Sequence, residues 1–219
     1  MRKVSASTHQ RMQSVLQKFS AIARKERVVI FRRAFIDSLP VMMGYTTMGF
    51  AAGVLMSVKS GAPFAPFWAG LCGFAFISGT LSFAIVPAIE ADAGLLSIGV
   101  LALGINFRYV FYGFSVLSKW KGLPFFKKWF LIHSLADEIY ALDVACPIKD
   151  RSKNIFYSFC NHGLNTAYWV VGTVCGGIVG SNVAIPSKGI EFAMIALFLV
   201  IFTDQIRGFL TRNGKTKLR

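Results

Sequence analysis

The stretch SLPVMMGYTTMGFAAGVLMSV, residues 38–58, carries no formally charged side chain, and a helix needs about 20 mostly apolar residues to cross a bilayer. Four further stretches behave similarly: residues 60–89, 93–107 and 154–187 are also free of formal charge, and 192–203 adds a shorter run. Charged residues make up only 16% of the 219-residue chain, against about 25% in soluble domains. Together with a mean hydropathy of +0.55, this excludes a soluble protein built on one core and predicts an all-α polytopic membrane protein.

The net charge of +14 would suggest nucleic acid in a soluble chain. The distribution argues against it, because 21 of the 24 basic residues fall in four clusters, at 1–33, 119–128, 149–153 and 207–219. Short basic loops stay on the cytoplasmic side of a membrane. Both termini are therefore expected in the cytoplasm, with a basic segment at 1–33, a transmembrane domain at 34–206 and a basic tail at 207–219. Residues 34–58 cross outward once, and 64–118 return by one or three passages, with Gly79, Pro87 and Gly104 as candidate breaks. The segment FLIHSLADEIYALDVAC is too short to cross twice between two basic clusters. It re-enters, lies at the interface, or crosses once and leaves the 149–153 cluster outside. Residues 154–181 and 189–206 complete about six spans, some broken or re-entrant.

At the N-terminus no continuous apolar region follows the first basic residues, which speaks against a cleavable signal peptide. Met12, Val15, Leu16, Phe19 and Ile22 instead recur at helical spacing among basic and polar residues, as in a helix lying on a membrane surface; a disordered basic tail is the alternative. Cys72, Cys146, Cys160 and Cys175 form no CxxC pair and have no His at ligand spacing, so they read as small hydrophobes. No metal site or cofactor is expected, and no P-loop, GxSxG or HExxH motif points to an enzyme.

A faint internal repeat runs at a constant offset of 128. Gly44 matches Gly172, Gly49 matches Gly177, Gly61 matches Gly189, Phe64 matches Phe192 and Ala65 matches Ala193. In the topology above the two copies run in the same direction. Secondary transporters are often built from repeats whose broken helices form a site near the bilayer midplane.

Polar groups inside spans are informative because burying them costs free energy unless something satisfies them. Asn106 and Arg108 stand in ALGINFRYVFYGFS with Tyr109 and Tyr112. Arg108 either snorkels to the headgroups or sits in a protein-lined cavity and pairs with a carboxylate, a contact that suits a planar guanidinium better than an ammonium. Asp137, Glu138 and Asp143 form a second set with His133 and Tyr140. On a continuous helix His133, Asp137 and Tyr140 share one face, which suits a proton relay or a cation site; a solvated hairpin offsetting the neighbouring Lys and Arg is the alternative. Asn161, His162, Asn165 and Thr166 form the third, with the two Asn side chains one turn apart, facing either a cavity or a neighbouring helix.

The ordered fragments FxxGTLSF (76–83), INFRYVFYGFS (105–115), SLADEIYAL (134–142), NTAYWVVGTVCGGIVG (165–180) and GIEFAMIALFLVIFTDQ (189–205) resemble the AzlC family, the large subunit of bacterial branched-chain amino acid exporters. The family's usual NLRH stretch corresponds to Asn106-Phe107-Arg108-Tyr109, and its TDE stretch to Ala136-Asp137-Glu138. The resemblance implies a non-enzymatic secondary exporter of valine, leucine or isoleucine in the bacterial inner membrane, working with a small AzlD-type membrane subunit. Tyr109 stands where the family often has His, and Ala136 where it often has Thr, so proton coupling here would have to use another group such as His133 or His162.

A branched-chain amino acid needs a carboxylate partner, an ammonium partner and an apolar pocket. The substrate-binding candidates are Asn106, Arg108, Tyr112, Asn161 and Asn165; the ion-coupling candidates are Asp137, Glu138, His133 and His162. The competing class is a non-transporting membrane subunit, an assembly or sensor partner whose intramembrane polar groups satisfy one another and line no cavity.

Overall fold

A computed structural model describes residues 22–60 and 64–183, together with Phe192 and Thr203. The predicted interfacial helix before Ile22, the last span and the basic tail lie outside these residues. Everything regular among the described residues is helical, as eight helices: α1 (Arg24–Ser60), α2 (Ala65–Ala75), α3 (Gly79–Glu90), α4 (Leu95–Asn106), α5 (Arg108–Leu117), α6 (Phe125–His133), α7 (Asp137–Ala145) and α8 (Arg151–Asn182).

The two long helices form the frame. With 37 and 32 residues, α1 and α8 each exceed the length that about 30 Å of hydrocarbon requires at 1.5 Å per residue. They run parallel, as the sequence of contacts along them shows. Lys153 Nζ donates to Glu26 Oε1 at 2.6 Å at one end, Tyr157 Oη donates to Asp37 Oδ2 at 3.0 Å further along, and Ser57 Oγ donates to the Gly177 carbonyl at 3.1 Å towards the other end. Glycines let the backbones approach. A Cβ built at Gly172 would stand 2.8 Å from the Thr46 carbonyl oxygen, and one at Gly180 2.9 Å from that of Val54. At Gly53 and Gly176 the added carbon would overlap the Thr173 and Phe50 carbonyls outright. Small residues serve helix association where lipid leaves no hydrophobic drive between helices. Of the repeat pairs, Gly44 and Gly172, and Gly49 and Gly177, thus lie on neighbouring helices that run in the same direction.

Between these helices the chain makes two short hairpins from opposite ends. Gly70 and Gly73 of α2 face Val174 and Thr173, and the link 76–78 turns the chain beside Met48 and Trp169, the neighbours of Gly79. Ser78 caps α3 by accepting from Leu81 N, and α3 sends Phe83 and Val86 into a cluster with Ala52 and Leu55. The second hairpin, α6 and α7, starts and finishes at the basic end, where Arg151 donates to the carbonyls of Lys119 and Lys121. The segment 129–148 therefore enters and leaves on one side. The hairpin tips meet, with His133 Nε2 2.8 Å from the Phe74 carbonyl oxygen.

Two sequence expectations change. Pro87 lies inside α3 and Gly104 inside α4; the break falls instead at Phe107, where α4 and α5 meet at 50°. His133 and Asp137 do not share a helical face, because Ser134–Ala136 separate α6 from α7 and Ala136 is extended. Among the described residues α1 alone is long and apolar enough to span by composition, and the bent α4–α5 pair adds a second; the last of the expected spans lies outside them. In α8 the buried Asn161, His162 and Asn165 lower the apolar average.

Polar side chains are buried alongside the apolar clusters, while large apolar side chains stand on the outside. Asn161, His162, Asn165, Ser82 and Thr173 are fully enclosed, whereas α4 buries nothing and Leu95 and Leu96 are 90% and 83% exposed. Apolar outer faces of this kind are stable against lipid and costly in water.

Candidate functional site

All three helix breaks converge on one cavity of about 530 Å³, within the range of small-ligand sites. Ser78, Gly79 and Thr80 reach it from the start of α3, Arg108 and Tyr109 from the start of α5, and Asp137 and Glu138 from the start of α7. Each helix N-terminus brings unpaired N–H groups and a partial positive charge, so two carboxylates at the start of α7 are favourably placed and a further anion is well received beside α3.

The charged centre is an ion pair, with Arg108 Nη1 2.8 Å from Asp137 Oδ2. Both side chains remain more than one-third exposed, open to the cavity. Arg108 Nη2 reaches the Tyr109 hydroxyl at 3.5 Å, while its buried Nε has no partner. The guanidinium therefore keeps donors for a second carboxylate. Glu138 accepts from the Tyr45 hydroxyl at 2.9 Å, and Tyr45 stands edge-on to Trp169, ring centres 5.8 Å apart. Met48, Ile77, Ala136 and Trp169 supply the apolar wall.

The structure brings together Arg108, Tyr112, Asp137 and Glu138. Asn106 lies one residue before the bend and outside the cavity lining, with a buried Oδ1 that has no partner. His133 faces away, stacked on Trp129 with ring centres 4.9 Å apart. Asn161, Asn165 and His162 form a separate enclosed network. Asn165 Nδ2 donates to Asn161 Oδ1 at 2.7 Å, and Asn161 Nδ2 to Asp143 Oδ1 at 3.3 Å. Sequence reading passed over Tyr45 and Met48, which sit in an uncharged stretch where nothing local marks them, and at the start of α3 it marked Gly79 alone as a candidate break. The capping Ser78 was the available signal, since a cap inside an apolar run announces an interrupted helix.

The family model described as AzlC protein matches residues 40–183. The chain is 31% identical over 175 residues to the branched-chain amino acid transport protein AzlC of Bacillus subtilis, covering 80% of this chain and 67% of that protein. It is 30% identical over 181 residues to an uncharacterized membrane protein of Helicobacter pylori (81% and 76% covered), and 32% identical over 174 residues to one of Haemophilus influenzae (79% and 70%). No solved structure matches the chain.

Proposed function

Because the chain belongs to the AzlC family, we propose that it is the large subunit of a secondary transporter that exports branched-chain amino acids through the Arg108–Asp137 cavity. The observation that carries this reading is an open ion pair at the meeting point of three interrupted helices. A zwitterion matches it: the substrate carboxylate takes the free guanidinium donors, and its ammonium takes Asp137, with Glu138 near by. The aliphatic side chain lies against Met48, Ile77 and Trp169. Substrate binding thus replaces one contact between opposite charges with two and adds no net charge. An idle subunit would satisfy its polar groups internally, whereas here the paired Arg108 and Asp137 side chains stay more than one-third exposed on the cavity.

Alternating access follows from the hairpins. Each blocks the cavity from one end, so withdrawal of α6–α7 opens it to the basic end and withdrawal of α2–α3 to the other. Export is driven by protons and requires a small AzlD-type membrane subunit. Radiolabelled leucine efflux tests this. Cells producing the chain with its small partner should lose label faster than cells with neither, and the chain alone should export poorly. Equal loss in all three would overturn the reading.

Membrane placement follows from the parallel frame. Arg24 to Arg33 and Lys149 to Lys153 share one end, which we assign to the cytoplasm of a bacterial inner membrane. With the broken span α4–α5 crossing back, and the last span that the sequence predicts at 189–206 outside the described residues, our reading puts both termini in the cytoplasm. A cytoplasm-only fluorescent reporter should glow at either end of the chain. A dark C-terminal fusion beside a bright N-terminal one would mean an odd number of passages.

A further inference from the structure

Beside the cavity, and unused by it, lies a sealed chain of hydrogen bonds. Asp143, on α7, and His162, on α8, are 2% and 0% exposed, with His162 Nε2 3.1 Å from Asp143 Oδ2. The other ring nitrogen, Nδ1, is 2.7 Å from Ser134 Oγ. Ser134 Oγ in turn donates to the Phe130 carbonyl at 2.6 Å. A carbonyl has no hydrogen to give, so the serine hydrogen is committed and the Nδ1 contact needs its hydrogen from the imidazole. With Nδ1 carrying a hydrogen, the contact to Asp143 needs a second one, on Nε2 or on the carboxyl. With all three contacts made as hydrogen bonds, the chain holds one proton between Asp143 and His162.

We propose that this pair is the proton-carrying site of the transporter, separate from the substrate cavity, and that it ties the α6–α7 hairpin to α8. The inference rests on the transport reading above. Ser134 is a positioning residue that fixes which nitrogen bears hydrogen. When the pair gives up its proton, the Nδ1–H bond breaks, its electron pair stays on the ring nitrogen and the proton passes to water, while the shared hydrogen stays on Nε2 facing the Asp143 carboxylate. The serine hydrogen then turns from Phe130 to Nδ1, and the hairpin loses its bond at Phe130. The enclosed pair meets no water in the closed form, so proton exchange demands displacement of the hairpin that carries Asp137 and Glu138. That shared requirement is what coupling needs.

The charged and titratable surroundings are few. Lys119 Nζ donates to the main-chain carbonyl of Asp143 at 3.1 Å, Cys146 and Tyr157 lie within electrostatic range of Asp143, and Asp37 is bound by Tyr157. From α8 Asn161 donates to the carboxylate, and Trp120 closes the site edge-on to the imidazole at 5.7 Å.

The test uses the full chain with its small partner in proteoliposomes. Wild type should exchange leucine at equilibrium and accumulate it against its gradient when a pH gradient is imposed; failure of both overturns the transport reading itself. Given both, Asp143→Asn and His162→Gln should keep exchange within about threefold and lose gradient-driven accumulation by more than about tenfold, one pK unit's worth of coupling. Accumulation at the wild-type level in either variant overturns the inference and leaves transport standing. Loss of exchange as well as accumulation assigns the pair a structural role and also overturns it. If the variants do not fold, ¹⁵N spectra of histidine-labelled wild type decide, with His162 identified by removing His9 and His133. A hydrogen on Nδ1 of His162 near neutral pH is expected; a bare Nδ1 overturns the proposal.

Discussion

Arg108→Lys should lower leucine transport about ten- to a hundredfold at unchanged expression, the worth of a charge-assisted hydrogen bond of roughly 1.5–3 kcal/mol. The charge is kept, so a purely electrostatic or snorkelling role predicts no change. What is lost is the fork. Arg108 holds Asp137 through Nη1 and stays more than one-third exposed, so its fork has N–H groups for a second carboxylate; an ammonium offers a single point. Asp137→Asn should fail comparably because it removes the ammonium partner and leaves Arg108 uncompensated. Glu138→Gln should cost only a few-fold, since Tyr45 still has an acceptor in the amide oxygen. Transport by Arg108→Lys at the wild-type rate would return Arg108 to a headgroup anchor.

Gly176→Ala is expected to abolish the folded protein. A single methyl there meets the Phe50 carbonyl and main-chain atoms of α1, which cannot rotate aside as a side chain would, so the cost exceeds the usual 1–3 kcal/mol or so of overpacking. Gly44→Ala and Gly163→Ala are the controls: nothing lies within 4 Å of the added carbon at either position. Those changes should be neutral or stabilising by up to about 1 kcal/mol through helix propensity. Thermal unfolding of the three variants in detergent separates close approach from propensity. A Gly176→Ala protein that melts with wild type would mean that α1 and α8 stand further apart.

The long helices were legible because their signal is additive: dozens of uncharged residues at 38–58 and 154–187 leave a bilayer as the only solvent that suits them. Three of the four basic clusters meet at one end, where Arg151 bonds to Lys119 and Lys153 to Glu26. The hairpin tip at 134–136 was not legible. FLIHSLADEIYAL contains neither Gly nor Pro and keeps helical spacing, yet the helix stops, because His133 bonds to Phe74 and Ser134 to His162, residues 59 and 28 positions away. Phe107 is similar, a bend without a local breaker. Pro87, the obvious breaker, stays inside α3. For the site, the residue types Arg108, Asp137 and Glu138 were readable from the cost of charge in an apolar run. Their convergence was not, since it depends on where three helices are interrupted.

The meeting of two hairpins at His133 and Phe74 also has an electrical meaning. Water entering from each side to the hairpin tips would leave only a thin insulating layer, so the membrane voltage, ordinarily spread across about 30 Å of hydrocarbon, would fall steeply there. Arg108, Asp137 and Glu138 line the cavity beside these tips. One elementary charge carried through the whole drop exchanges about 2.3 kcal/mol per 100 mV. A displacement of a few ångströms at these tips therefore performs electrical work that elsewhere in a membrane would require passage through its full thickness.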